Sequence, residues 1–176
     1  QMFRNEGIPV HDADNVVHDL YAGPAASLIE AAFPGTVFAG VVDRNILATR
    51  VLNDPGALAR LENIIHPLVR KAEAAFVKRH EKSRTPLVVL DIPLLFETGA
   101  ESRVDKVLVV TASSKVQRER VLQRPGMSED KFAAILSRQL PDAQKRARAD
   151  FVIDTGLGMD NAQRQVRKII RHLTAA

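Results

Sequence analysis

Cysteine is absent from this sequence. With no thiol there is neither a disulfide framework nor a thiolate metal site, which suits a reducing compartment, and the cytoplasm is the expected location. Tryptophan is also missing, tyrosine occurs once, and no basic run is interleaved with aromatic side chains. A surface that stacks nucleic-acid bases is therefore not expected. Long apolar runs are lacking too: LVVLDIPLLF, Leu87 to Phe96, is among the longest and is interrupted by Asp91. Such a run is too short to cross a bilayer, which argues against a membrane protein, and no targeting segment is visible.

What is present describes a globular chain. Its 176 residues are 45% apolar and 26% charged, enough for one sizeable core with a small appended subdomain. The net charge of +4 is unevenly placed: Lys115 to Arg148 carries nine Lys or Arg against four acids, a surplus of five, and the remainder is about neutral. Such a block attracts phosphate-bearing partners, a small polyphosphate before nucleic acid, although a solvated helical face gives the same pattern.

Apolar runs alternate with helical patterns, which predicts a parallel sheet covered by helices. The predicted strands are Ile8 to Val10, Leu87 to Asp91, Lys106 to Thr111 and Phe151 to Asp154, all short and without strict alternation, as buried parallel strands are. Tyr21 to Thr85 holds no good strand and several helices. These are Pro24 to Phe33, Arg44 to Leu52 with Asp43 as N-cap, Pro55 to Ile65 with Asp54 as cap, and a further helix from Pro67 to about Glu81. A crossover needs only one helix. Residues 23–84 are therefore read as an inserted helical subdomain that holds substrate, with 1–22 and 85–176 as the α/β core. Later in the chain two helices flank the break RPGMS, Ser128 caps the second, Pro141 to Ala149 leads into the last strand, and Asp160 to Leu173 is an amphipathic closing helix.

Polar residues gather at the predicted carboxyl ends of strands, where open α/β sheets bind ligands. GIPVHDADNVVHDL, Gly7 to Leu20, places three acids and two histidines in fourteen residues. Asp12, Asp14 and His18 allow a metal reading, Asp14 allows a helix N-cap, and a carboxylate at a strand end is also placed to accept a proton from a substrate hydroxyl. Asp91 closes LVVLD as an acid near a nucleotide's magnesium does, or as a turn cap. Glu97 is a further candidate at the same edge. His66 precedes Pro67, a predicted helix start, as a cap, a ligand donor or a structural histidine. Arg118, Arg120 and Arg124 precede the flexible Pro125-Gly126, and arginine forks match phosphate oxygens, so a mobile hairpin that closes over a polyphosphate and excludes water is expected.

Four segments, in this order and at this spacing, resemble the dephospho-CoA kinase family. GIPVHDAD resembles its G-x-x-V-x-D-A-D, NIIHPLVR its His-Pro segment, DIPLLFETG its I-P-L-L-F-E stretch, and ARADFVIDTG its A-D-x-V-I-x-N. The resemblance covers nearly the whole chain. It implies a P-loop kinase α/β fold with an inserted helical subdomain, an arginine-rich lid at about 114–140, and ATP-dependent phosphorylation of the ribose 3′-hydroxyl of dephospho-CoA, the last step of coenzyme A synthesis. By the same resemblance Asp14 is the catalytic base, and Asp12, His66, Arg70 and Glu97 bind the acceptor substrate. Arg120, Arg124 and Lys145 serve ATP and the lid, and Mg2+ accompanies ATP with Asp91 as its candidate ligand. Asp142 stands where many members carry an arginine, and Thr155 replaces the usual asparagine. The alternatives are another small-molecule or nucleoside monophosphate kinase, or a non-catalytic domain that binds coenzyme A-like ligands. Monomer and homo-oligomer stay equally open.

No G-x-x-x-x-G-K-[ST] occurs in these residues. In P-loop enzymes that loop cradles the phosphates and its hydroxyl holds magnesium. QMFRNE reads as a helix tail closed by Gly7, and Gln1 is no translation start, so the expectation is that the first strand, the loop and most of the first helix lie upstream. A polypeptide without them is expected not to transfer phosphate.

Overall fold

The structure is a computed structural model that describes residues 1–52 and 54–175. In chain order the elements are α1 (Met2–Asn5), β1 (Val10–Asp12), α2 (Ala13–Tyr21), α3 (Ala26–Ala32), β2 (Val37–Phe38), β3 (Val41–Val42), α4 (Arg44–Val51), α5 (Pro55–Lys82) and β4 (Val89–Asp91). Then follow a 3-10 turn at Ala100–Arg103, β5 (Leu108–Thr111), α6 (Ser114–Leu122), α7 (Glu129–Leu136), α8 (Asp142–Ala147), β6 (Phe151–Asp154) and α9 (Met159–Thr174). All four predicted strands form, and they pair in parallel: β1 with β4, and β5 with β6. The chain divides into two compact units, Pro9–Ile92 on the one hand and Gln1–Ile8 with Pro93–Ala176 on the other.

In the unit formed by Pro9–Ile92, β1 begins two residues later than the pattern predicts because Pro9 has no N–H to give the ladder. Its carbonyl instead accepts from Val89 N at 2.9 Å, and Val10, His11 and Asp12 pair with Val89, Leu90 and Asp91. A core of Leu20, Ile29, Phe33, Val42, Leu47, Val51, Leu61 and Ile65 joins α2, α3, α4 and α5. Asp43 and Asp54 cap α4 and α5 as expected, accepting from Ile46 N at 3.0 Å and Ala57 N at 2.9 Å.

Two expectations for this unit are corrected. The interval read as strandless contains a hairpin, in which Val37 and Phe38 pair with Val42 and Val41. Its two central residues, Ala39 and Gly40, both have positive φ, +49° and +80°, as the two-residue turn that matches strand twist requires. Glu30 then fixes the hairpin's base: its carboxylate accepts from the backbone N–H of Gly35, Thr36 and Val37 at 2.7, 3.1 and 2.9 Å. These bonds, Gly35's foremost, hold the Glu30 carboxyl below its usual range against a smaller opposing effect of burial. The second correction concerns Pro67, which starts no helix. It lies inside α5, a single helix of 28 residues. A proline there removes one backbone hydrogen bond, and the helix persists because it packs on α2, α3 and α4.

In the other unit, α1 ends as QMFRNEG predicts. Gly7 at φ +78° lets its N–H reach Arg4 O and that of Ile8 reach Phe3 O, both at 3.0 Å, the paired closure of a helix end. The apolar stripe of α9 covers β6 through Ala162, Val166 and Ile169 against Ile153, with Met2, Phe3, Leu108 and Phe151 around them. Ser128 caps α7, accepting from Lys131 N at 3.3 Å. No helix among the described residues is long and apolar enough to cross a membrane.

Candidate active site

The first group of predicted site residues sits at the carboxyl ends of β1 and β4. Asp12 and Asp91 close the two strands in register with one another. Asp12, not Asp14, is the N-cap of α2. Its Oδ1 accepts from Asn15 N at 3.1 Å and its Oδ2 from Asn15 Nδ2 at 2.9 Å. The helix therefore starts two residues earlier than an Asp14 cap would place it, and capping draws on Asp12 while Asp14 stands in the first turn. The Asp14 side chain is exposed, and among the described residues no hydrogen bond or ion pair engages it. A carboxylate so placed can receive a proton from a bound hydroxyl, which a capping carboxylate already engaged by N–H donors on both oxygens does less readily.

The metal reading of this stretch is overturned by the same geometry. His11 points into the core at 6% exposure, 5.3 Å from the Phe76 ring, and its Nε2 is buried without a hydrogen-bond partner. Burial pushes its pKa down, and the charges of Glu73 and Asp12 oppose that shift. His18 is exposed in the last turn of α2, and no three His, Asp or Glu among the described residues gather closely enough to hold a metal. His66 and Arg70 lie one turn apart on α5, both exposed. His66 is a mid-helix side chain, so its expected role as a cap at a helix start is withdrawn; with α5 continuous through Pro67, the two residues project from one helical face.

The second group belongs to the other unit. Arg120, on α6, donates from Nη1 to Thr155 Oγ1 and from Nη2 to Thr155 O, both at 2.9 Å, and the Thr155 hydroxyl donates to Thr111 O at 3.0 Å. Arg120 is thus held by a bidentate contact at the ends of β5 and β6. Arg124 is exposed one residue before Pro125, with Gly126 at φ +73° completing the break. Asp142 accepts from Thr111 Oγ1 at 2.7 Å and from Arg146 Nε at 2.9 Å. Asp142 and Thr155 are therefore bound into one network through Thr111. A threonine closing the apolar run VLVVT was the available signal for Thr111, and sequence reasoning passed over it.

Glu97 has different partners from those expected of an acceptor contact. Its Oε1 accepts from Lys145 Nζ at 2.9 Å and from Leu140 N at 2.8 Å, while Oε2 is buried with no partner. Burial tends to raise its pKa, but the bonds from Lys145 and Leu140 outweigh it and the net direction is down. Beside it Glu101 pairs with Arg148, whose guanidinium lies 4.5 Å over the Phe96 ring. The sequence made neither Glu101 nor Arg148 a candidate site residue; Arg148 entered only as one charge of the basic block.

Comparison with known proteins places these features in one family. The family profile for dephospho-CoA kinase matches residues 1–161. The dephospho-CoA kinase of Mesorhizobium japonicum is 60% identical over 173 residues, 98% of this chain and 88% of that protein. That of Rhizobium meliloti is 54% identical over 99% of this chain and 90% of that protein. Among solved structures, TT1252 from Thermus thermophilus superposes with a TM-score of 0.83 at 33% identity, covering 97% of this chain and 87% of that one. Dephospho-CoA kinase from Campylobacter jejuni, at 23% identity, shares the fold with a TM-score of 0.69 over 99% of this chain and 89% of its own. With strand-end acids, a capped α2 that frees Asp14, and relatives of this identity along almost its full length, the chain belongs to the dephospho-CoA kinase family, a group of P-loop-type α/β kinases.

Proposed function

We propose a division of labour between the two groups of residues in the family's reaction. The chain is a kinase of dephospho-CoA, the enzyme of the last step of coenzyme A synthesis. ATP gives its γ-phosphoryl group to the ribose 3′-hydroxyl, a new O–P bond forms as the bond to the β-phosphate oxygen breaks, and ADP leaves. Asp14 takes the hydroxyl proton as the oxygen attacks. Asp12 fixes the start of α2 and so the position of Asp14. His66 and Arg70, on one face of α5 in the helical segment 23–84, bind the acceptor, the arginine matching its diphosphate. Arg120, Arg124 and Lys145 serve the nucleotide, with 114–140 as lid.

The observation that carries this reading is the exposed, unengaged carboxylate of Asp14 beside a capping Asp12 at the end of β1. Magnesium fits as an ion carried in by ATP. It prefers one or two carboxylates and several waters to an all-protein cage, and Asp91 is this chain's candidate carboxylate. When bound it neutralises charge on the phosphates. The intracellular compartment read from the missing cysteines agrees with this metabolic role.

A competition assay tests the acceptor. Full-length enzyme given ATP with dephospho-CoA and nucleoside monophosphates at equal concentration is expected to phosphorylate dephospho-CoA at least about a hundredfold faster, because a built polar site rejects an acceptor that leaves its groups unpaired. Comparable phosphorylation of a nucleoside monophosphate would replace this reading with that of a nucleotide kinase.

A further inference from the structure

Glu97 and Lys145 were expected to serve different substrates, and the structure joins them. The Glu97 side chain is 15% exposed and that of Lys145 18%, so their 2.9 Å contact is largely shielded from water. The same Glu97 oxygen takes the Leu140 N–H, which fixes the turn between α7 and α8 two residues before α8 begins. Glu97 is itself held in place. Thr98, Gly99 and Ala100 close the preceding turn with N–H bonds to Leu94, Phe96 and Leu95, Gly99 adopts φ +63° to allow it, and one helical turn on Glu101 pairs with Arg148. Two acids four residues apart, 97 and 101, thus grip two bases three apart, 145 and 148.

A carboxylate with one oxygen committed to two donors and the other enclosed has no open face for an acceptor molecule. We propose that Glu97 is a positioning residue of the nucleotide side: it aims the Lys145 ammonium and fixes the end of the lid segment, and it does not touch dephospho-CoA. Lysine has a long flexible stem and a point charge, so its value to a phosphate depends on what holds it. A charge-assisted bond from a shielded carboxylate restricts that stem, and the shared oxygen makes the lysine's position and the turn at Leu140 one unit. The inference rests on the reading that Lys145 serves ATP.

The test is a kinetic cycle on the full-length enzyme with Glu97→Gln, Lys145→Met and the double variant. Glu97→Gln keeps the shape and an acceptor for Leu140 N–H while removing the charge that holds Lys145. It is expected to raise the KM for ATP roughly tenfold and to leave the KM for dephospho-CoA within about twofold, since weakening one charge-assisted contact to a phosphate costs about that order. Lys145→Met raises the KM for ATP in the same way, and in its background Glu97→Gln adds less than about twofold, the signature of two residues acting as one unit. Glu97→Asp, which keeps the charge on a shorter arm, gives the same split at smaller size and carries the test if the glutamine variant does not fold.

A rise in the KM for dephospho-CoA alone would overturn the inference and return Glu97 to the acceptor. Equal rises for both substrates, with additive loss in the double variant, would show a merely structural carboxylate. If Lys145→Met leaves the KM for ATP unchanged, the reading of Lys145 fails and takes the inference with it. If Lys145→Met raises it and neither Glu97 variant does, the inference alone fails.

Discussion

Asp14→Asn is expected to lower kcat by about 10²- to 10⁴-fold, the usual contribution of a positioned general base, and to leave the affinity for ATP within about twofold. Asparagine has nearly the same shape and keeps the first turn of α2, because the cap is Asp12 and not Asp14. Helix and strand end therefore survive the change, and what is lost is the ability to take a proton. The KM for dephospho-CoA should move little, because a group that matters chiefly in the transition state affects turnover before binding. Steady-state kinetics together with a binding titration of ATP check this. Turnover within about threefold of the parent enzyme would remove Asp14 from the chemistry.

The second large effect concerns stability. Ile29→Ala should cost about 3–5 kcal/mol, the upper part of the range for buried aliphatic truncations. Ile29 is fully buried among Leu20, Phe33, Val42, Leu47 and Leu61. What sets the cost is how far the neighbours can move in. The hairpin segment beside α3 is held by the three bonds to Glu30, by Thr36 Oγ1 donating to Phe33 O at 2.7 Å, and by Asp43 N donating to Thr36 O at 2.8 Å. So tethered, it cannot collapse into the space left by the deleted carbons. Denaturant unfolding measures the loss, and amide exchange localises it: protection should fall in α3, α4 and α5 while α9, in the other unit with its own core, keeps its protection. A loss under about 1 kcal/mol would mean that the site relaxes freely.

Much of this architecture was legible because each signal was local. Asp43, Asp54 and Ser128 cap helices where the sequence places them, and the four parallel strands are the four β-rich runs. What escaped depended on context. Pro67 looks like a helix start at the level of the dipeptide, but packing of α5 on three neighbours outweighs one missing hydrogen bond. The hairpin arms are two residues each, too short for an alternating pattern to register, and only the Ala39-Gly40 turn betrays them. In the DAD element, which of two acids caps the helix hinges on a two-residue shift that periodicity does not resolve.

The site shows the same division. Residue types and the order of motifs made Asp14, His66, Arg120 and Arg124 candidates, since charge and motif are properties of sequence. Pairings were invisible: Glu97 with Lys145, 48 positions apart, and Arg120 with Thr155, 35 apart, meet only once the chain has folded. The Glu97–Lys145 pair is what carries the proposal above, because a carboxylate facing a lysine does different work from one facing a substrate.

The position of the transferred phosphate tests the central claim most directly. Full-length enzyme incubated with ATP, magnesium and dephospho-CoA should yield ADP and a product whose new phosphorus resonance couples to the ribose 3′ proton, with the parent compound consumed in equal amount. A phosphate at another position of the acceptor, or ATP hydrolysis with dephospho-CoA unchanged, would contradict the account of Asp14 as the base that prepares that hydroxyl.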